Sequence, residues 1–223
     1  MRRIAIWTGL AATLAVGVHP AAAQLGVGVK AGTTGVGAEA AFGITSRLAV
    51  RGSATMFPTD PSGSFSDVDY TVELPSPLFT IGADLYPFGG GLRIMGGLLI
   101  GAEQTNLLAE YTGTVELGNQ EFSASELGDL RGVFTTSNAA PFLGIGFGKH
   151  FGRGLGLTLD LGVAFLGDPE LRFSTTGPCN DDPVCGPQLR AAIAEEEAAV
   201  QDDLDKYARY FPILSLGLKF GLF

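Results

Sequence analysis

The chain has no apolar run long enough to cross a bilayer as a helix. The longest, Ile4 to Val18, falls short of the ~20 residues such a helix needs. Charge is scarce, at 17% of residues, and basic charge scarcer, with 14 Lys and Arg against 23 Asp and Glu. That balance excludes a nucleic-acid partner, which requires a basic surface. Histidine occurs only as His19 and His150, tryptophan only as Trp7, and cysteine only as Cys179 and Cys185. Glycine, in contrast, is abundant, with 33 residues.

Residues 1–23 read as an export signal. Arg2 and Arg3 supply the positive start, Ile4 to Val18 the apolar stretch, and Ala21-Ala22-Ala23 the small-residue cleavage site before Gln24. Cleavage would take Trp7, His19, Arg2 and Arg3 with it, leaving 12 basic against 23 acidic residues, a net charge of −11. The ~200 residues that follow, 24–223, suit one domain.

What is present is alternation. From Leu155 to Phe165, large apolar residues (Leu155, Leu157, Leu159, Leu161, Val163, Phe165) alternate with Gly156, Thr158, Asp160, Gly162 and Ala164. A period of two marks a strand with one apolar face. The opposite face is small rather than charged, which suits a crowded interior, and about ten residues is the length a tilted strand needs to span a membrane. Seven other segments share the pattern: Leu25–Ala31, Val36–Phe42, Leu48–Met56, Val68–Leu85, Leu92–Ala102, Pro141–Phe147 and Leu214–Leu222. Within the fourth, Pro75 and Pro77 interrupt the alternation, which resumes on the other parity at Phe79; this predicts a bulge or break near the membrane edge.

The connections support the count. Ile44–Arg47, Pro87–Gly91 and His150–Gly154 are short, whereas Pro58–Val68, Asn106–Asn138 and Gly167–Tyr210 are long, and Thr33-Thr34 makes a brief first hairpin. Short inner turns alternating with outer loops, with both termini inside, require eight strands. The expected fold is all-β: a transmembrane antiparallel up-and-down β-barrel of eight strands in the bacterial outer membrane, in contact with its lipid, with an acidic helix in the last extracellular loop.

With the apolar parity outward, eight charges face inward: Lys30, Glu39, Arg51, Asp84, Arg93, Glu103, Asp160 and Lys219. Four positive and four negative, they alternate in sign over the first four strands. Buried charges persist when paired and hydrogen-bonded, and an eight-stranded barrel is just wide enough for side chains to fill it. A plugged, charge-paired lumen is therefore expected rather than an open pore.

In the last outer loop, Cys179-Asn-Asp-Asp-Pro-Val-Cys185 reads as a disulfide closing a small ring. Metal binding is the alternative, but two thiols without a nearby His make a poor zinc site. After Pro187 a helical stripe of Leu189, Ile193, Val200, Leu204 and Tyr207 is surrounded by Glu195, Glu196, Glu197, Asp202, Asp203 and Asp205. A solvated face explains those acids; a calcium or cationic-partner site is the other reading, without an EF-hand pattern. No cofactor is expected. Nor is catalysis: His150 falls at the periplasmic rim with no partner motif, and no Gly-rich phosphate loop precedes a helix.

The terminal stretch Tyr210-Phe-Pro-Ile-Leu-Ser-Leu-Gly-Leu-Lys-Phe220, ending at Phe223, resembles the closing strand of bacterial outer-membrane β-barrel proteins. In that family a C-terminal aromatic is read by the barrel-assembly machinery. The resemblance gives that role to Phe220 and Phe223, although Phe223 departs from the parity of Leu214–Leu222. Together with Ala139–Gly148 and the acidic helix, the chain is similar to small eight-stranded outer-membrane proteins of unassigned role, which carry over no catalytic residues. Two functions fit: a structural or surface-interaction barrel displaying its outer loops, or a conduit for small solutes or lipophilic compounds.

Overall fold

The computed structural model describes residues 24–60, 62–65, 68–111 and 113–222. The expected export signal and Phe223 lie outside them. Strands β1 (Gln24–Gly32), β2 (Gly35–Gly43) and β3 (Leu48–Met56) run back and forth. An excursion follows with β4 (Ser62–Phe65) and β5 (Val68–Glu73), then β6 (Leu78–Leu85) and β7 (Arg93–Ile100). The next excursion holds β8 (Gln104–Tyr111), β9 (Thr114–Leu117), β10 (Gln120–Ser123), one helical turn α1 (Ala124–Leu127) and β11 (Leu130–Thr135). Strands β12 (Ala139–Phe147) and β13 (Gly154–Phe165) lead to β14 (Glu170–Thr175), helix α2 (Cys185–Tyr207) and the closing strand β15 (Tyr210–Gly221).

The wall is a closed antiparallel barrel of eight strands, β1-β15-β13-β12-β7-β6-β3-β2. Closure runs through β1 and β15, from Gly26 opposite Gly221 to Gly32 opposite Ser215. A closed ring leaves no unpaired edge, the condition for a strand protein in lipid. On β13 the pleat sorts the side chains: Leu157 is 67% and Leu161 46% exposed, whereas Thr158 and Asp160 are each 3% exposed. The exposed face of the wall is apolar on every strand, including Val29, Phe42, Ile81, Ile145, Leu157 and Leu216.

Leu159 sits midway along β13, opposite Phe147 on one side and Leu216 on the other. Leu159→Arg should therefore destabilise the barrel by about 2–4 kcal/mol if it lies near the bilayer midplane. Urea unfolding in lipid vesicles measures this, and an unchanged midpoint would show that the residue is not in hydrocarbon.

The long outer loops are folded. Beyond the wall, β14-β11-β8-β5-β4 form a second, five-stranded sheet. Its first four strands prolong β13, β12, β7 and β6 in the same lateral order, so one half of the wall continues outward across a belt of breaks. The breaks are Gly101 (φ +96°), Gly167 (φ +84°) and the segment holding Pro75 and Pro77. Two expectations need correction here. Val68–Glu73 is not the first part of a wall strand but a separate strand of the outer sheet, because Pro75 and Pro77 cannot donate to a continuous ladder. Asn106–Asn138, read as a polar loop, contains four strands and a helical turn.

Candidate functional site

The lumen is filled in three layers. The middle layer is ionic. Asp160, on β13, receives hydrogen bonds from Arg51 Nη1 at 2.7 Å, from Arg93 Nη2 and from Ser215 Oγ at 3.3 Å. Arg51 Nη2 reaches Asp84 Oδ1 at 3.3 Å, and Arg93 Nε lies 3.7 Å from Asp84 Oδ2. Arg51 Nη1 is also 3.8 Å from Glu39 Oε2. Lys30 is buried two residue pairs along the β1–β2 ladder from Glu39, on the same face. Two bidentate-capable guanidinium groups between three carboxylates can satisfy charges that would be prohibitive alone. With Lys30, three cations face three carboxylates.

The lower layer is a turn folded back into the mouth. Between β12 and β13 the chain does not stop at the rim: His150 and Phe151 are each 2% exposed. His150 Nδ1 lies 2.6 Å from Glu39 Oε1, and its Nε2 is 3.2 Å from Arg51 Nη1 and 3.9 Å from Asp160 Oδ1. The Phe151 ring meets Tyr86 edge-on, 5.2 Å between centroids, with Ala49 in the same apolar cluster. The turn's backbone is held as well: Arg93 donates to Gly148 O, and Lys219 Nζ to Phe151 O at 3.3 Å and Gly152 O at 3.0 Å. The His150 N–H donates to Tyr86 Oη at 3.3 Å.

Space for this turn comes from missing side chains. A Cβ at Gly26 would stand 1.8 Å from His150 O, and one at Gly43 would stand 2.9 Å from the Phe151 ring. The upper layer is apolar: Leu78, Leu99, Ala140, Phe142, Ala164 and Ile213 pack together inside the outer half of the barrel.

Of the eight charges expected in the lumen, Lys30, Glu39, Arg51, Asp84, Arg93, Asp160 and Lys219 are buried there. Glu103 is not. It is exposed, past the positive-φ Gly101 that ends β7, where the strand's alternation no longer fixes its direction. Its carbonyl accepts the Thr136 N–H at 2.8 Å on the outer side. The expected balance of four against four therefore does not hold. Lys219 lies apart from the ionic layer and binds turn carbonyls. His150, expected at the rim without a partner, is the residue the sequence reading missed. Phe220 faces outward on β15, 52% exposed.

Outside the wall, Cys179 and Cys185 form a disulfide, and Cys179 is buried against Leu117, Phe122, Leu127, Leu189 and Ala192. Asp182 Oδ1 accepts the N–H groups of Val184 and Cys185, each at 2.8 Å. These bonds, that from Cys185 first, hold its carboxyl below the usual range. Glu196 and Glu197 of α2 are not simply part of a solvated face. Glu197 Oε1 accepts the Phe173 N–H at 2.7 Å, and Gln201 Oε1 the Leu171 N–H at 3.4 Å, so the helix covers the outer edge of β14. Glu196 accepts the Gly118 N–H at 3.2 Å. Reducing the disulfide opens a short ring, and the outer module should lose about 2 kcal/mol on the chain-entropy account while the wall keeps its stability. Hydrogen exchange with and without reductant checks this, and a fall in protection across β13 would contradict it.

No protein-family model matches the sequence, and no curated protein does. Among solved structures, CarO2 of Acinetobacter baumannii superposes with a TM-score of 0.62 at 20% identity, over 89% of this chain and 98% of that one. CarO of the same organism gives 0.55 at 20% identity, over 87% and 96%. The fold is that of the outer-membrane β-barrels. A major outer membrane protein of Thermus thermophilus is similar more loosely, at 0.44 and 15% identity, over 91% of this chain and 100% of that one.

Proposed function

We propose that the protein is an outer-membrane anchor with a closed lumen, whose role is to hold a folded module of sheet and helix at the cell surface. The observation that carries this is the stacking of three closures in one barrel: the inner turn, the ionic layer and the apolar layer. A pore lined for passage would leave polar groups facing water, whereas here Arg93 and Asp84 are fully buried. Export through cleavage after Ala23, assembly through Phe220 and Phe223, and contact with outer-membrane lipid belong to this reading. Catalysis does not: His150 is 2% exposed and held among Glu39, Arg51 and Asp160. Purified protein in planar bilayers should give no steady conductance, and regular single-channel steps from the wild type would overturn the proposal.

A conduit for small solutes or lipophilic compounds is the second reading. What favours it is that the inner closure depends on one short turn, not on the wall.

A further inference from the structure

A cavity of about 110 Å³ lies where the lumen's apolar layer meets the base of the outer sheet. Leu78, Leu99, Leu166, Phe57, Phe211 and Phe134 of β11 line it. Two polar side chains, Thr105 and Thr136, reach its lining. The Thr136 hydroxyl is spent on Ala102 O at 2.6 Å. The nearby backbone donors are spent too: Thr136 N on Glu103 O at 2.8 Å, Ser137 N on Leu166 O at 3.0 Å and Leu166 N on Arg209 O at 2.9 Å.

We infer that this cavity binds a small uncharged apolar molecule, one aromatic ring or a short alkyl chain, taken up at the outer mouth of the barrel. A water needs two to four polar partners to stay in such a place, and the cavity offers little besides Thr105. An enclosed apolar cavity of ~150 Å³ in an engineered protein core takes up benzene; this one is of similar scale and partly open, so a ligand can enter it from outside. Three phenylalanine rings add faces and edges against which another ring can pack. A carboxylate or ammonium group would enter without a counter-charge and at the full cost of desolvation. The cavity lies at the break between wall and outer sheet, with Pro75 and Ala102, the residue after the positive-φ Gly101, in its lining. The inference holds whether or not the lumen conducts, so electrical silence does not bear on it.

The test is methyl NMR of the leucine-labelled protein in lipid nanodiscs, titrated with benzene and, separately, with benzoate. Benzene should shift the Leu78, Leu99 and Leu166 methyls along a saturating curve. Lipid-facing Leu157 and Leu161 should show only the linear drift of partition into lipid. Ala102→Phe fills the cavity from its wall and should weaken the saturable response at least tenfold, and benzoate should give none. If Ala102→Phe does not fold, Thr105→Met narrows the same space from the outer sheet and should act in the same direction. A linear response at the cavity methyls, a saturating curve untouched by both substitutions, or tighter binding of benzoate than of benzene would overturn the inference.

Discussion

Asp160→Ala should destabilise the barrel by about 3–5 kcal/mol, the range for breaking a buried charge pair. The carboxylate is 3% exposed and takes hydrogen bonds from Arg51, Arg93 and Ser215, so its loss leaves two guanidinium groups inside the wall short of a counter-charge. Asp84 contacts the same two arginines, at 3.3 and 3.7 Å, and cannot move to replace Asp160 because it sits on β6, across the lumen. The loss is a penalty of unpaired charge, so removing a partner as well should return part of it. Asp160→Ala combined with Arg51→Ala should cost less than the two separate losses added together, and the same should hold with Arg93→Ala. Urea unfolding of the four-member cycles in vesicles is the measurement. Additivity in both cycles would show that the charges act independently, and the ionic layer would then be solvated by water rather than closed.

The parts of this arrangement that could be read from the sequence were those encoded locally. A period of two and the contrast between short and long connections are properties of neighbouring residues, so the eight wall strands and seven of the eight inward charges could be read from them. Glu103 failed because a single glycine, Gly101, resets the chain direction, and parity carries no information past such a point. His150 failed for a different reason: a turn has no period, and its fold-back is written in glycines on other strands. Gly26 on β1 and Gly43 on β2 are the partners that make room, and neither is near residue 150 in the chain. A signal was present, since inward-facing glycines clustered at the same end of neighbouring strands imply that something else fills that space.

The apolar layer left a signal as well. Leu98-Leu99-Ile100 breaks the alternation with a continuous apolar run, which is how a strand reads when both faces are buried. Leu98 faces lipid and Leu99, 1% exposed, faces the interior. Alternation weighs only every second residue, so it carries no information on Leu99. The outer sheet was hidden by polarity: β8, β11 and β14 have half-exposed faces, and Gly113, Gly118 and Gly128 punctuate the chain between β8 and β11, so composition suggested loop.

Phe151→Ala should destabilise the barrel by about 3–5 kcal/mol, as truncation of a buried aromatic does, and yet leave it electrically silent. The ring fills the space beside Tyr86, Ala49 and Gly43, and its removal leaves a void at the inner mouth with the turn still tied by Arg93, Lys219 and Glu39. Should the turn swing out altogether, an ion would still meet Arg93 and Asp84, each fully buried, and then the layer of Leu99, Ala140 and Phe142. Closure at three levels is therefore separable from stability at one of them. Phe88→Ala in the neighbouring inner turn, at a side chain 80% exposed, is the control and should alter neither property. Paired urea-unfolding and planar-bilayer recordings distinguish the two functional readings. A steady conductance in Phe151→Ala, absent from the wild type and from Phe88→Ala, would make the turn a gate and the protein a conduit.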